Sequence, residues 1–267
     1  MVAFPNAKIN IGLNITERRS DGYHNLETIF YPVAIRDALE VVESADLTFT
    51  STGIGIPGAA DSNLCLKAFR LLAADLPVPN VHIHLHKQIP IGAGLGGGSS
   101  DAAFFIRLMN EKFELGLSGG QMEDYCRRLG ADCPFFVRNE PVFACGVGDV
   151  FRPLSLDLSP YFLVLVQPAV HISTAEAYQG VKPLKPATSL SDLIRLPVEE
   201  WTGAVKNDFE ASVFPNHPAV RDVKDQLYEA GALYSSMSGS GSSVYGIFKA
   251  PVSLPGLEKE NQVFYGI

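Results

Sequence analysis

Five glycines and two serines crowd one stretch, Pro90-Ile91-Gly92-Ala93-Gly94-Leu95-Gly96-Gly97-Gly98-Ser99-Ser100-Asp101-Ala102-Ala103. Before it, Val81, Ile83 and Leu85 alternate with His82, His84 and His86, the signature of a strand with one buried face. After it, Ala103, Ile106, Arg107 and Asn110 recur at helical spacing. The stretch therefore joins a strand to a helix N-terminus. The first N–H groups of a helix lack an internal acceptor, and the aligned peptide dipoles leave about half a positive charge there. Glycine admits φ > 0 and lets a bulky anion approach the backbone. A plain strand-to-helix turn needs only one or two glycines. The stretch predicts a phosphate cradle, and with it a nucleotide-using enzyme.

Two familiar phosphate loops fit poorly. Gly92-Ala93-Gly94-Leu95-Gly96-Gly97 matches the dinucleotide fingerprint in form. That fingerprint also needs an acidic residue about twenty positions on, at the end of a second strand, to hold a ribose. The candidates, Glu111 and Glu114, fall at the end of the same helix. A dinucleotide-dependent oxidoreductase is thus the weaker alternative. The nucleoside-triphosphatase loop fails because no lysine follows the glycines and precedes Ser99. Any cationic lysine must come from elsewhere.

Composition narrows the class. The 267 residues suffice for one large domain or two modest ones, and 46% hydrophobic with 19% charged residues describes a soluble globular chain. A net charge of −8 disfavours broad nucleic-acid or acidic-membrane binding, and with it a non-enzymatic RNA-binding module. Cys65, Cys126, Cys133 and Cys145 form no CxxC pair, so reduced, mostly buried thiols are expected. The N-terminus has no basic region or long apolar core, and no run approaches the ~18 apolar residues of a membrane helix. The expected compartment is cytoplasmic.

Along the chain, Ile9, Ile11, Leu13 and Ile15 alternate with Lys8, Asn10 and Asn14 in an early strand. Lys8 is either a solvated strand lysine or the missing functional cation. A polar loop follows with an Asp21-Gly22 turn, then a strand through Leu26–Tyr31. Tyr23, His24, Phe30 and Tyr31 cluster there. They read as a shelf for stacking a base or, for Phe30 above all, as core. Residues 38–44 and 47–52 read as strands, and Asp61-Ser62-Asn63 caps a helix. Ser118 or a neighbour caps a second helix ending at Leu129. Asp132 follows in Leu129-Gly130-Ala131-Asp132-Cys133-Pro134, as a helix cap or turn residue, or as a general base. Val142–Ala144 and Val150–Phe151 form a hairpin, and residues 153–160 mark a boundary. Tyr161–Val166 reads as a buried strand, Ser173-Thr174-Ala175-Glu176 as a helix start before Tyr178, and residues 180–201 as irregular. Asn216–Ala230 is helical. Ser238-Gly239-Ser240-Gly241-Ser242-Ser243 is either a second source of phosphate-binding N–H groups or a flexible hairpin.

Three segments, Pro5-Asn6-Ala7-Lys8-Ile9-Asn10, the Gly92–Ala103 loop and Met237–Ser243, fall in the order and spacing of the GHMP kinase superfamily (galactokinase, homoserine, mevalonate and phosphomevalonate kinases), which the chain resembles. Arg18-x-x-Asp21-Gly22-Tyr23-His24-x-Leu26-x-Thr28 and Leu129-Gly130-Ala131-Asp132-x-Pro134-Phe135 make it similar to the kinases of cytidine-diphosphate-linked methylerythritol. The resemblance is strongest over residues 5–31, 88–104 and 129–149. It implies an α+β, two-domain fold. A ribosomal-S5-like domain would occupy residues 1–155 and an α/β-plait domain residues 156–267, with the active site in the cleft between them. It implies ATP on Pro90, Ile91, Gly92, Ala93, Gly94, Leu95, Gly96, Gly97, Gly98, Ser99 and Ser100, with Mg²⁺ carried on its phosphates and no assigned protein ligand. Asp132 would take the proton from the substrate 2-hydroxyl, and Lys8 would keep Asp132 ionised and orient that hydroxyl. Asn10 would touch the substrate near Lys8, Tyr23 would stack on the cytosine, His24 would read its edge, and Phe30 would line the pocket. Tyr178 stands where the family places a second aromatic, and Thr174 where a phosphate contact is expected. The expected activity is ATP-dependent phosphorylation in the non-mevalonate isoprenoid pathway, by a monomer or weak homodimer. The alternative within the class is another small-molecule kinase of the superfamily.

Overall fold

The computed structural model of the chain describes residues 1–267. In chain order its elements are β1 (Val2–Ala3), β2 (Asn6–Arg18), β3 (His24–Arg36), β4 (Ala38–Glu43), β5 (Thr48–Gly53), α1 (Leu64–Asp75), β6 (Val81–Lys87), α2 (Gly97–Lys112), α3 (Gly119–Arg127) and α4 (Phe135–Arg138). There follow β7 (Val142–Cys145), β8 (Val150–Pro153), β9 (Phe162–Pro168), α5 (Thr174–Gln179), α6 (Leu190–Leu193), α7 (Phe209–Val213), α8 (Pro218–Glu229), β10 (Tyr234–Met237), β11 (Val244–Phe248) and β12 (Asn261–Tyr265). Helices and sheets mix as an α+β chain does. No helix is long and apolar enough to cross a membrane.

The elements fall into two compact units. The first comprises Met1–Lys8, Ile35–Ile91 and Gly96–Glu140; the second comprises Ile9–Ala34, Gly92–Leu95 and Pro141–Ile267. The sequence predicts a single division at 155/156, but the units alternate along the chain. The physical reason lies in strand pairing. β3 pairs antiparallel with β7, and β7 with β8, so the early β2–β3 pair shares a sheet with strands from mid-chain.

In the first unit, strands run in the order β1-β4-β6-β5, with β5 parallel and β4 antiparallel to β6. The alternation of β6 divides its side chains as predicted. Val81, Ile83 and Leu85 are fully buried, each worth roughly 1.5–3 kcal/mol of burial. His82, His84 and His86 face the other way and hydrogen-bond Thr48, Thr50 and Thr52 of β5. α1 starts where Asn63 Oδ1 accepts from Cys65 N at 2.8 Å. α3 starts at a capping box between Ser118 and Gln121. α2 packs against α1, α3, α4 and β4.

The second unit has two sheets, β2-β3-β7-β8 and β10-β11-β9-β12. α8 lies on the second of these with Val220, Val223 and Leu227 buried, a stripe spaced three and four apart. Pro218 opens α8 at a position whose N–H has no helical acceptor. Ser173 caps α5 by accepting from Glu176 N. The region predicted as irregular holds the single-turn α6. All four cysteines are free, and Cys65, Cys126 and Cys133 are buried.

Candidate active site

The glycine stretch leaves β6 at Lys87 and becomes α2 at Gly97. Gly92, Gly94 and Gly96 take φ of +66°, +79° and +68°, a region other residues adopt only at a cost. Each has its own further reason. A Cβ on Gly92 would lie 3.2 Å from the His171 ring, and one on Gly94 would run into the Ser238 carbonyl oxygen. One on Gly96 would meet Phe136 Cζ at 3.0 Å and Lys8 Cε at 3.2 Å. Gly96 occupies the cap position of α2, and no side chain caps the helix. Ser100 N bonds back to Gly96 O at 2.9 Å. The preceding N–H groups, of Gly97, Gly98 and Ser99, are those with no acceptor inside a helix. A dipole end built this way suits a phosphate group. Pro90 is buried, Ile91 and Gly92 are exposed, Ala93 and Leu95 are buried, and Ser100 is fully buried with no hydrogen-bond partner on its Oγ.

Lys8 and Asp132 come together in the first unit. Lys8 is 3% exposed, and its Nζ lies 3.5 Å from Asp132 Oδ2. Burial pushes the Lys8 ammonium below its ordinary pKa, and the Asp132 charge works against that shift. Asp132 occupies a turn in which Cys133 N donates to Gly130 O. Its side chain is 36% exposed, so a ligand can reach it. The cap position of α4 is Pro134, with no side-chain cap, so the helix-cap reading of Asp132 does not hold. The solvated-face reading of Lys8 fails too. Its stem packs beside the αL cap glycine of α2, which places the ion pair next to the uncapped N-terminus of α2 within one unit.

The expected base-binding residues belong to the second unit. The His24 and Tyr178 rings stack with centroids 4.8 Å apart and planes 21° apart. Tyr178 also meets Phe209 edge-on at 4.8 Å. Tyr23 is 66% exposed, and Asp21 Oδ1 accepts its N–H at 3.1 Å. That bond fixes the turn while leaving the ring available. Phe30 is 2% exposed and packs edge-on against Phe151, so it is a core ring. Asn10 is 3% exposed and donates from Nδ2 to Thr28 Oγ1 at 3.0 Å. Thr174 Oγ1 stands 3.4 Å from Ser240 Oγ.

Ser238, which opens the loop read as either a second source of phosphate-binding N–H groups or a flexible hairpin, is fully buried. Its Oγ accepts from Asn10 N at 3.1 Å and donates to Gly94 O at 2.8 Å. The second glycine-serine loop is therefore an ordered hairpin that braces the first. Two further residues, which the sequence reading did not single out, hold it. Asn207 donates to the carbonyls of Met237 and Gly239 at 2.8 and 2.9 Å. Glu210 accepts from Met237 N at 2.9 Å and pairs with Lys224. The available signal was Asn207-Asp208-Phe209-Glu210, three polar groups around one aromatic, in a segment without periodicity.

Two family models match the chain: the GHMP kinases N terminal domain over residues 63–140 and the GHMP kinases C terminal domain over residues 192–258. A protein of Parabacteroides distasonis named 4-diphosphocytidyl-2-C-methyl-D-erythritol kinase is 53% identical over 264 residues, covering 99% of this chain and 96% of its own. A Bacteroides thetaiotaomicron protein of the same name is 52% identical, with coverage of 99% and 98%. A crystal structure of 4-(cytidine 5'-diphospho)-2C-methyl-D-erythritol kinase superposes with a TM-score of 0.84 at 31% identity, covering 100% of this chain and 98% of that one. Identity of this degree over nearly the full length, on a fold with an uncapped glycine helix beside a lysine–aspartate pair, shows that the chain belongs to the 4-diphosphocytidyl-2-C-methyl-D-erythritol kinase family of the GHMP kinases.

Proposed function

We propose that this chain transfers the γ-phosphate of ATP to the 2-hydroxyl of 4-diphosphocytidyl-2-C-methyl-D-erythritol, with Asp132 as the general base and Lys8 as its partner. The observation that carries the reading is the Lys8–Asp132 pair at 3.5 Å, with the Lys8 stem against the cap glycine of α2. A hydroxyl is a weak nucleophile, and a placed base typically contributes ~10²–10⁴-fold. Asp132 takes the hydroxyl proton as the oxygen bonds to phosphorus, and ADP departs with the electron pair of the broken P–O bond. Lys8, fixed by burial, holds the Asp132 carboxylate in place. The N–H groups of Gly97, Gly98 and Ser99 bind the phosphates through the uncapped helix end. Tyr23, His24 and Tyr178 hold the cytosine by stacking and by its edge, and Thr174 and Asn10 supply further polar contacts. The stacked His24–Tyr178 pair supports the aromatic assignment.

The donor set also bears on magnesium. No group of three His, Cys, Asp or Glu residues is placed to hold a metal ion. In this reading Mg²⁺ enters as the nucleotide's counter-ion, a common mode for a cation that seldom takes an all-protein cage. When bound it neutralises phosphate charge. The test is ³¹P NMR of ATP incubated with the protein and each of three acceptors: the cytidine-linked methylerythritol, mevalonate and homoserine. The reading expects ADP and a new phosphomonoester with the first acceptor alone. Equal turnover of the other two would refute the substrate assignment.

A further inference from the structure

One buried charge cluster has no part in the reaction described. Lys87, the last residue of β6, is 3% exposed. Its Nζ donates to Asp37 Oδ2 and, at 2.8 Å, to Asp101 Oδ2. Asp37 precedes β4, and its other oxygen accepts from Gln88 N at 2.6 Å and Ile89 N at 2.9 Å. Asp101 stands in the second turn of α2, 3% exposed, with its Oδ1 buried and unpartnered. A Cβ on Gly97 would lie 3.3 Å from Lys87 Nζ and 2.9 Å from Ile89 Cγ2. The ammonium is thus directly beneath the first residue of α2.

Removing three charged groups from water is expensive, and apolar replacements of such clusters are often neutral or stabilising. Stability alone therefore gives little reason for this one. Its placement gives a better reason. Residues 88–96 include three glycines with positive φ, and glycine-rich backbone loses the most freedom on ordering. Asp37 fixes the start of that segment through two backbone N–H groups. Asp101 fixes its far end through the body of α2, and one ammonium joins the two carboxylates.

We infer that Lys87, clamped by Asp37 and Asp101, is a positioning residue for the nucleotide phosphates. It locks the first turn of α2 to the end of β6, so that the loop meets its ligand already ordered. The inference rests on the reading of this loop as the nucleotide cradle. A pre-ordered loop spares the ligand the entropy of ordering it, so the effect belongs in nucleotide affinity.

Three variants test this: Asp101→Asn, which keeps the shape and one possible acceptor; Lys87→Met; and the charge-balanced double change Lys87→Met with Asp101→Asn. Calorimetry with the non-hydrolysable analogue AMP-PNP gives nucleotide affinity, and steady-state kinetics give KM for each substrate and kcat. Hydrogen exchange reads the order of residues 88–99. The clamp predicts a 3- to 10-fold weaker AMP-PNP affinity for Asp101→Asn and 10-fold or more for the double variant. Exchange should rise within residues 88–99, while kcat at saturating ATP and KM for the alcohol stay within about 3-fold. Should Lys87→Met fail to fold, Asp101→Asn decides alone. Unchanged AMP-PNP affinity and loop exchange in folded Asp101→Asn would overturn the inference, as would equal losses in every kinetic parameter. A wild type that binds no AMP-PNP would refute the nucleotide reading instead, and loop exchange would still report on the clamp.

Discussion

Gly94 and Gly98 lie four residues apart in the same stretch, yet alanine should act on them in opposite directions. Gly94 has φ +79°, where an L-residue is strained by roughly 1–2 kcal/mol. Its new Cβ would also collide with the Ser238 carbonyl, whose carbon stands at 3.0 Å. Relief requires one loop to move from the other, which breaks the 2.8 Å bond from Ser238 Oγ to Gly94 O. A bond of that kind is worth about 0.5–1.5 kcal/mol net. Together these give about 1.5–3.5 kcal/mol, or roughly 10- to 400-fold in the population of the intact loop pair. Gly98 is helical, and its added Cβ finds only Leu64 Cδ1 at 3.8 Å. There alanine is expected to be neutral or to gain up to ~1 kcal/mol through lower backbone entropy in the unfolded chain. Urea unfolding of both variants measures the contrast, and the KM of Gly94→Ala for ATP measures its functional side. Gly94→Ala should unfold at lower urea and show a raised KM, while Gly98→Ala unfolds at or above the wild-type midpoint. Identical midpoints for the two variants would refute the reasoning that the loops are locked by close approach.

Tyr178→Ala should raise KM for the cytidine-bearing substrate by roughly 5- to 150-fold, because one stacked base is worth about 1–3 kcal/mol. KM for ATP should hold, and an equal rise in both would contradict a base-holding role. Lys8→Met should lower kcat by ~10-fold or more at retained fold, as seen by near-UV circular dichroism; unchanged kcat would return Lys8 to a packing role. Burial pushes the Asp101 carboxyl up, with the Lys87 charge opposing. The folded value lies above the unfolded one, so the native state holds the extra proton in a window that opens near the ordinary carboxylate value of about 4. Stability from this group is then present at low pH and lost as pH rises through that window. Thermal unfolding of wild type and Asp101→Asn should diverge across it, with the wild type falling more steeply; parallel profiles would contradict the shift.

Local physics was legible in the chain. The alternation of Val81–His86 fixed a strand with one buried face, and Asn63, Ser118 and Ser173 marked helix starts through side chains that do cap. The glycine stretch announced a strand-to-helix turn, and α2 does begin there at an uncapped glycine. Pairing was not legible. That β3 joins β7 depends on backbone hydrogen bonds between distant segments, which leave no periodic trace in either. Buried polar residues were hidden for a related reason. Lys87, Asp101, Asn207 and Ser238 look like surface residues in sequence, and only tertiary structure shows that each is buried against partners or packing. Lys8 and Asp132, 124 positions apart by their numbers, each had a plausible ordinary role until the fold set them 3.5 Å apart.

The most direct test of the account compares wild type with Asp132→Asn for ATP-dependent phosphorylation of 4-diphosphocytidyl-2-C-methyl-D-erythritol, with substrate affinity measured in parallel. The amide keeps the shape of the side chain and removes its capacity to take a proton. The account predicts kcat lower by ~10²-fold or more, with substrate affinity kept within about 3-fold. Robust wild-type turnover that the substitution leaves unchanged would contradict it, and Asp132 would then be a turn residue beside a lysine.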